Sequence, residues 1–361
     1  MRFVELRWCR LMLLAGLSVV AELQSVEGAE PTHAEPTARV VADRGYEQAI
    51  ELRRGRARAV LCPENGGRVL EFSLAGVNSL YFDPKEAAPE AGKPRGASAG
   101  RFDVGPELTV IPHPQLWSGP WTAEITGATA ARLTSVRCKQ SGLRLIRDFE
   151  LAIDTALYGA TETRQVPRLD CKQTIVNESN EVREVCHWGR SFSPGGGIAL
   201  VPLGDRPSKF PAKYAMYEDS AVINVRNVDE RIRERDGFLE ILAPPRKPKL
   251  GFDSHAGWLA YLMPGDLLFV KRFRTEPDRV YNEAAGLTLS IWYPEGARIE
   301  LEPIGPRERL KPGDRASFSE TWTIHHHPFP KSGEQVDLKY LMKRQLSVEL
   351  PSLNVPQPQA R

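Results

Sequence analysis

Period-two alternation constrains this chain more than any other feature. Ala297, Ile299 and Leu301 alternate with Arg298, Glu300 and Glu302, and Phe318, Trp322 and Ile324 alternate with Ser317, Ser319, Thr321 and Thr323. Successive strand residues face opposite ways, so such runs put one face on a core and the other toward water. Helical periodicity is almost absent. Val69 to Leu74 and Ser79 to Phe82 flank an Ala75-Gly76-Val77-Asn78 turn, and Pro312-Gly313 suits the second and third positions of a β-turn. The run Leu143, Leu145, Phe149, Leu151, Ile153 reads as shifting phase near Ile146, which predicts a bulge. The 29 glycines and 29 prolines are spread evenly and punctuate many short strands. No repeat of fixed period appears. The predicted class is all-β, with stacked antiparallel sheets and few short helices.

The N-terminus reads differently. Arg2, Arg7 and Arg10 accompany an apolar run, Leu11 to Val20, that suits a signal-peptide h-region and is too short to span a bilayer as a helix. Ala21, Gly28 and Ala29 are candidate cleavage positions, and an ordinary buried helix is the competing reading. The expected organisation is a signal peptide over 1–29, a Pro/Ala/Glu-rich linker over 30–44, one β domain over 45–335 and a C-terminal extension over 336–361. Within that extension 336–348 fit a short closing helix or strand, and the stretch after Pro351 is expected to be disordered. Glu86 to Ala99 is read as a mobile loop. No later segment has the length of a membrane span, so the expectation is an exported protein, periplasmic or secreted.

Hydrophobic residues make up 41% of the chain, enough for a real core, and the net charge is only +2. No Lys/Arg cluster forms a stripe, which argues against nucleic acid as a partner, since phosphate binding needs concentrated positive charge. Cys62, Cys138, Cys171 and Cys186 remain after the leader; an exported chain could join them in up to two disulfides, or they are buried thiols. No spacing suggests zinc. His325-His326-His327 is poor metal geometry, because consecutive strand residues diverge. No phosphate loop or nucleophile elbow is present, so no cofactor or metal is expected.

Two segments carry a family resemblance. RAVLCPENGGRVLEFSLAGVNSLYFDP (58–84) resembles the opening of galactose mutarotase-like proteins, with a strand, a Pro-x-x-Gly-Gly-Arg turn and a second strand. IELEPIGPRERLKPGDRASFSETW (299–322) is similar to the end of uncharacterised bacterial relatives of the aldose 1-epimerases. The resemblance covers most of residues 48–325. It implies a β-supersandwich with a sugar or oligosaccharide site on one concave sheet.

Sugar mutarotation needs a base at the anomeric hydroxyl and an acid at the ring oxygen, each contributing roughly 100- to 10,000-fold. The resemblance implies Glu302, in Leu-Glu-Pro, as the base. Glu300 is the near alternative on the same strand face, and a solvated face paired with Arg298 is the bland reading of both. The segment TIVNESNEVREVCHWGRSFSPGG (174–196) resembles the mutarotase strand bearing a buried histidine, which implies His187 as the acid. The chain departs from that pattern in reading His-Trp-Gly-Arg; neighbours alternate faces, so either His187 or Trp188 enters the site. His113 and Trp117 fall where mutarotases carry a substrate-binding loop, and Trp121 would extend that rim or cap the core. Arg101, in Gly-Arg-Phe, is similar to the mutarotase arginine that holds the sugar, with Glu107 on the same stretch. Arg190 is a candidate clamp, because arginine makes planar forked contacts. Arg68 is expected to pair with a carboxylate near the Gly66-Gly67 turn, and Glu320, in apolar phase, with a core arginine. The expectation is an exported carbohydrate-binding protein that interconverts anomers if Glu and His share one cleft. A non-catalytic glycan- or protein-binding module without the acid, or a relative of polysaccharide lyases and hydrolases, are the competing classes.

Overall fold

Alternating strands assemble into two large antiparallel sheets whose apolar faces meet. The computed structural model describes residues 35–88, 95–158, 162–219 and 222–344. The first sheet runs Thr37–Asp43, Tyr46–Arg54, Ala57–Cys62, Arg68–Leu74, Gly100–Gly105, Arg183–Pro194, Arg298–Pro303, Leu289–Trp292, Lys249–Phe252, Ala215–Asp219, Val222–Asn224. The second runs Ile232–Arg235, Phe238–Ile241, Ile198–Pro202, Trp258–Met263, Leu267–Phe273, Arg315–His326, Glu162–Asn177, Leu143–Tyr158, Ala130–Ser135, Trp121–Gly127. The all-β sandwich expected from the alternation is therefore the observed fold. No helix among the described residues is long and apolar enough to cross a membrane.

The inner faces interdigitate around an aromatic centre. Trp322 stacks on Phe102 at 5.6 Å and meets Phe269 edge-on at 5.6 Å, a geometry that rings favour beyond area burial. Phe318, Trp322 and Ile324 are buried together, as their period requires. Glu320 shares that face and is fully buried, and its partner is Lys271 at 3.0 Å, not the arginine expected from the sequence. Lys271 Nζ also donates to Ser191 Oγ and the Leu301 carbonyl, each at 3.1 Å, while Trp322 Nε1 donates to Glu320 at 2.8 Å. The carboxylate lies against Gly189: a Cβ there would sit 2.0 Å from Glu320 Oε1, so only glycine leaves the room.

The predicted bulge near Ile146 is absent. Leu143–Tyr158 pairs with Glu162–Asn177 in unbroken register from Leu143↔Asn177 to Tyr158↔Glu162. The inward set is Leu143, Leu145, Arg147, Phe149 and Leu151; an arginine occupies a core position and disguises an intact phase. Its guanidinium donates to the carbonyls of Gly66, Gly67 (2.8 Å) and Phe102 (2.8 Å) and lies 4.3 Å over Trp121. Trp121 is thus a core residue. The Gly66-Gly67 turn that offers those carbonyls holds both residues at positive φ, 72° and 57°.

Other local expectations resolve individually. Gly313, at φ 85°, and the hydrogen bond from Asp314 N–H to the Lys311 carbonyl form the predicted Pro312-Gly313 turn. Arg68 pairs with buried Glu86 at 2.6 Å, which anchors the start of the 86–99 loop; residues 89–94 lie outside the described set. The sheet begins at Thr37, inside the stretch read as a linker, because Thr37–Asp43 ladders onto Tyr46–Arg54. The four thiols are free and buried, so no disulfide joins them. The helix Leu338–Arg344 lays Leu338 and Leu341 on the outer face of the second sheet against Leu262 and Leu268. The signal-peptide expectation and the tail beyond 344 lie outside the described residues.

Candidate functional site

The central strands of the first sheet turn one face to the core and the other to a cleft. On Gly100–Gly105, Phe102 and Val104 enter the core while Arg101 and Asp103 face out. On Arg298–Pro303, Ile299 and Leu301 enter the core and Glu300 and Glu302 face out. On Arg183–Pro194, Trp188, Arg190 and Phe192 face out, and His187, Gly189 and Ser191 face the second sheet. Trp292, Lys249 and Tyr217, from Leu289–Trp292, Lys249–Phe252 and Ala215–Asp219, extend the outward face. Of these, Arg101, Arg190, Phe192, Tyr217, Lys249, Trp292 and Glu300 line a cleft of about 580 Å³, while Trp188 and Glu302 are buried out of it.

Its floor is a network of ion pairs. Arg101 and Arg190 stand directly opposite across neighbouring strands, a like-charge pairing that needs a counter-ion. Glu300 supplies it, accepting from Arg101 Nη2 and from Arg190 Nε at 3.0 Å. Arg190 Nη1 also reaches Asp103 at 3.2 Å. Glu302 is fully buried one strand position on; Lys249 Nζ donates to its Oε2, and Arg190 Nε stands 3.7 Å from its Oε1. Neither glutamate lies on a solvated face, and Arg298 is partner to neither; it stacks on Phe192 and Trp292, 5.0 and 5.4 Å from their ring centres.

The two glutamates divide in protonation. Burial opposes charge on Glu300, but Arg101, then Arg190 and Lys249, outweigh it and hold that carboxyl below the usual range. Burial pushes the Glu302 carboxyl up, Lys249 pulls against it, and the charge on Glu300 adds to the rise. Glu283, whose Oε2 accepts the Glu107 N–H at 2.8 Å, is raised by burial as well.

The aromatic residues form walls and lids. Arg101 is sandwiched between Trp117 at 4.7 Å and Phe192 at 4.1 Å. Trp188 lies beneath Arg190 and Lys249. Of the residues singled out in the sequence, Arg101, Glu107, Arg190 and Glu300 line the cleft directly. His113 does not line it. It stands at the N-cap position of the helix Pro114–Ser118, with Nε2 2.7 Å from Asp103 Oδ1 and Nδ1 2.8 Å from the Ile111 carbonyl. Burial pulls its pKa down, but the bond to Asp103 and that group's charge outweigh burial and raise it. With an acceptor at each nitrogen, His113 is held as a cation that braces Asp103.

His187 is on the wrong side of the sheet for the role implied by the resemblance. Its ring stacks on Phe318 at 5.8 Å between the two sheets, and burial lowers its pKa to about 4. Neither ring nitrogen has a hydrogen-bond partner in normal geometry among the described residues. The strand's parity puts Trp188 on the cleft's side of the sheet, buried beneath Arg190 and Lys249, and His187 in the core. What converges on the cleft is therefore a set of forked cationic donors, carboxyl acceptors and aromatic faces, which suits a polyhydroxylated ring. The histidine half of a Glu/His acid–base pair is not assembled there.

Asp103, Phe192, Tyr217, Lys249 and Trp292 escaped the sequence reading. Asp103 and Phe192 could have been found, since each sits two residues from a named candidate. Tyr217, Lys249 and Trp292 come from strands whose register no local pattern reveals.

Comparison with solved structures identifies the fold. A galactose mutarotase-like protein from Lactobacillus casei aligns with a TM-score of 0.52 at 11% identity, over 77% of this chain and 100% of that one. The Slr1438 protein from Synechocystis sp. PCC 6803 aligns with a TM-score of 0.50 at 15% identity, over 82% of this chain and 98% of that one. At such identities the likeness is one of fold, and the fold is galactose mutarotase-like. No family model and no curated protein matches the sequence.

Proposed function

We propose that this chain is an exported protein that binds a carbohydrate in the cleft of its first sheet, without turning over aldoses by the Glu/His route. The observation that carries the reading is the triad Arg101–Glu300–Arg190 set between the aromatic faces of Trp117, Phe192 and Trp292. Sugars are bound by such combinations: charged forks meet hydroxyls, and rings meet the apolar C–H face. The fold agrees with the reading, since one of its structural neighbours is itself described as galactose mutarotase-like. The position of His187 favours binding over mutarotation, because a proton donor sealed between the sheets cannot reach a ring oxygen in the cleft. Export rests on the basic, apolar leader sequence.

Two measurements test this. A glycan array or saturation-transfer NMR is expected to give binding that Trp292→Ala weakens; absence of binding to every saccharide would remove the proposal. Optical rotation of fresh α-glucose and α-galactose is expected to relax at the buffer rate; acceleration by the protein would restore the epimerase reading. N-terminal sequencing of the protein recovered from an expressing cell's exterior or periplasm checks the leader.

A further inference from the structure

Resting on the carbohydrate reading, we infer that the bound sugar is acidic: a uronic acid, free or within an oligosaccharide, whose carboxylate seats on Arg190 and Lys249 above Trp188. The two cations converge on one small area. The Arg190 guanidinium lies 4.8 Å from the Trp188 ring centre and the Lys249 ammonium 5.2 Å from the same centre. Both also reach the same buried carboxyl, Glu302, one at each oxygen. Two like charges held so close, in a cleft with a low-dielectric floor, repel unless anions separate them.

Glu302 is only part of that separation. It lies beneath the cations, fully buried, while Arg190 and Lys249 themselves line the cleft. Their donors are not exhausted. Arg190 places Nε on Glu300 and Nη1 on Asp103, and its Nη2 has no hydrogen bond to a described residue. Lys249 carries three protons on Nζ and directs one at Glu302. A carboxylate entering from the cleft would find a guanidinium edge and an ammonium at once, the arrangement that gives short charge-assisted bonds.

The charge balance of the floor points the same way. Arg101, Arg190, Lys249 and the His113 cation form a connected group with Glu300, Glu302 and Asp103. Within that connected group four cations face three carboxyls, so the floor itself carries one positive charge in excess even when both glutamates are ionised. The upward shift of Glu302 enlarges that excess. Of the other carboxyls, burial drives Glu283 toward its neutral form, Glu218 is paired with Lys247 at 3.4 Å, and Glu107 and Asp219 are exposed carboxylates on the cleft wall. With Glu107, Glu218 and Asp219 on the wall of the same cleft, a monoanionic carboxylate fits better than a phosphate monoester, which carries about −1.5 to −2 at neutral pH.

Titration calorimetry on the full chain would test this with galacturonate, glucuronate and their short oligomers against galactose, glucose and glucose 6-phosphate. The uronates are expected to bind at least about tenfold more tightly than their neutral counterparts, with affinity falling as salt rises. Lys249→Met is expected to abolish the preference. The double variant Lys249→Met/Glu302→Gln, which removes the buried carboxyl's charge together with its partner, is expected to do the same if the single variant folds poorly. Equal affinity for acidic and neutral sugars would overturn the inference and leave the carbohydrate reading standing. Preference for the phosphate would overturn the choice of carboxylate. Failure of every sugar, acidic or neutral, would remove both.

Discussion

Replacing Glu320 by Gln strands a lysine in the middle of the sandwich. Lys271 and Glu320 are each 0% exposed and 3.0 Å apart. After the substitution the ammonium keeps only neutral acceptors, Ser191 Oγ and the Leu301 carbonyl. Breaking one side of a buried pair costs about 3–5 kcal/mol. The loss has a ceiling, because Lys271 can give up its proton; from a reference pKa near 10.4, deprotonation at pH 7 costs about 5 kcal/mol. Burial already pulls the Lys271 pKa down, and Glu320 is the largest influence opposing that pull. In the variant Glu320 no longer opposes that pull, so folded Lys271 holds its proton less tightly than unfolded Lys271. The unfolded state binds more of that proton, so stability rises with pH, by up to about 1.4 kcal/mol per unit below pH 10. Urea unfolding of Glu320→Gln and the parent at pH 7, 8 and 9 should show a deficit of several kcal/mol that shrinks stepwise. Lys271→Met combined with Glu320→Gln should recover most of it, since Gln still accepts from Trp322 Nε1. A deficit below about 1 kcal/mol, or one equal at pH 7 and 9, would refute the account of the pair.

Further outcomes are expected. Cys62, Cys138, Cys171 and Cys186 should resist a thiol reagent in the native state and react together on unfolding, because all are buried and burial raises the thiols of Cys62, Cys171 and Cys186; titration with Ellman's reagent with and without urea measures this. His187 stays neutral in the fold down to about pH 4 while its unfolded form protonates near 6.5, so stability should fall by about 3 kcal/mol as pH drops across that window. His187→Leu should lose that part of the acid sensitivity, read from urea midpoints at pH 7 and 4. Trp292→Ala should weaken sugar binding by tenfold or more while shifting the urea midpoint little, because Trp292 is a partly exposed cleft wall.

Much of the fold could be read from alternation, and where the reading failed the cause was a charge in a core phase. Arg147 sits among Leu145 and Phe149 on the inward face, and its charge made an unbroken strand look shifted. The counter-signal was three backbone carbonyls distant in sequence, two in the Gly66-Gly67 turn and one on the strand Gly100–Gly105, which no local window contains. Glu320 was recognised as buried from its apolar neighbours, but its partner lies on another strand and turned out to be lysine. The site was legible in part for the same reason. Arg101, Arg190 and Glu300 could be named singly; that they form one triad depends on the strands carrying 101, 190 and 300 lying side by side. His187 against Trp188 was a question of parity, and a strand's absolute phase is fixed only when its neighbours' faces are known.

The strand Arg183–Pro194 works like a reading frame. Its odd-numbered residues His187, Gly189 and Ser191 pack against the second sheet, and its even-numbered residues Trp188, Arg190 and Phe192 serve the cleft. One inserted or deleted residue would exchange the two sets, driving Arg190 into the space kept clear by Gly189 and lifting His187 into the cleft. The cleft's lining can therefore be retuned by substitution but not by a change of length in this segment. A designer wishing to bring an imidazole into the cleft must place it at an even-numbered position here.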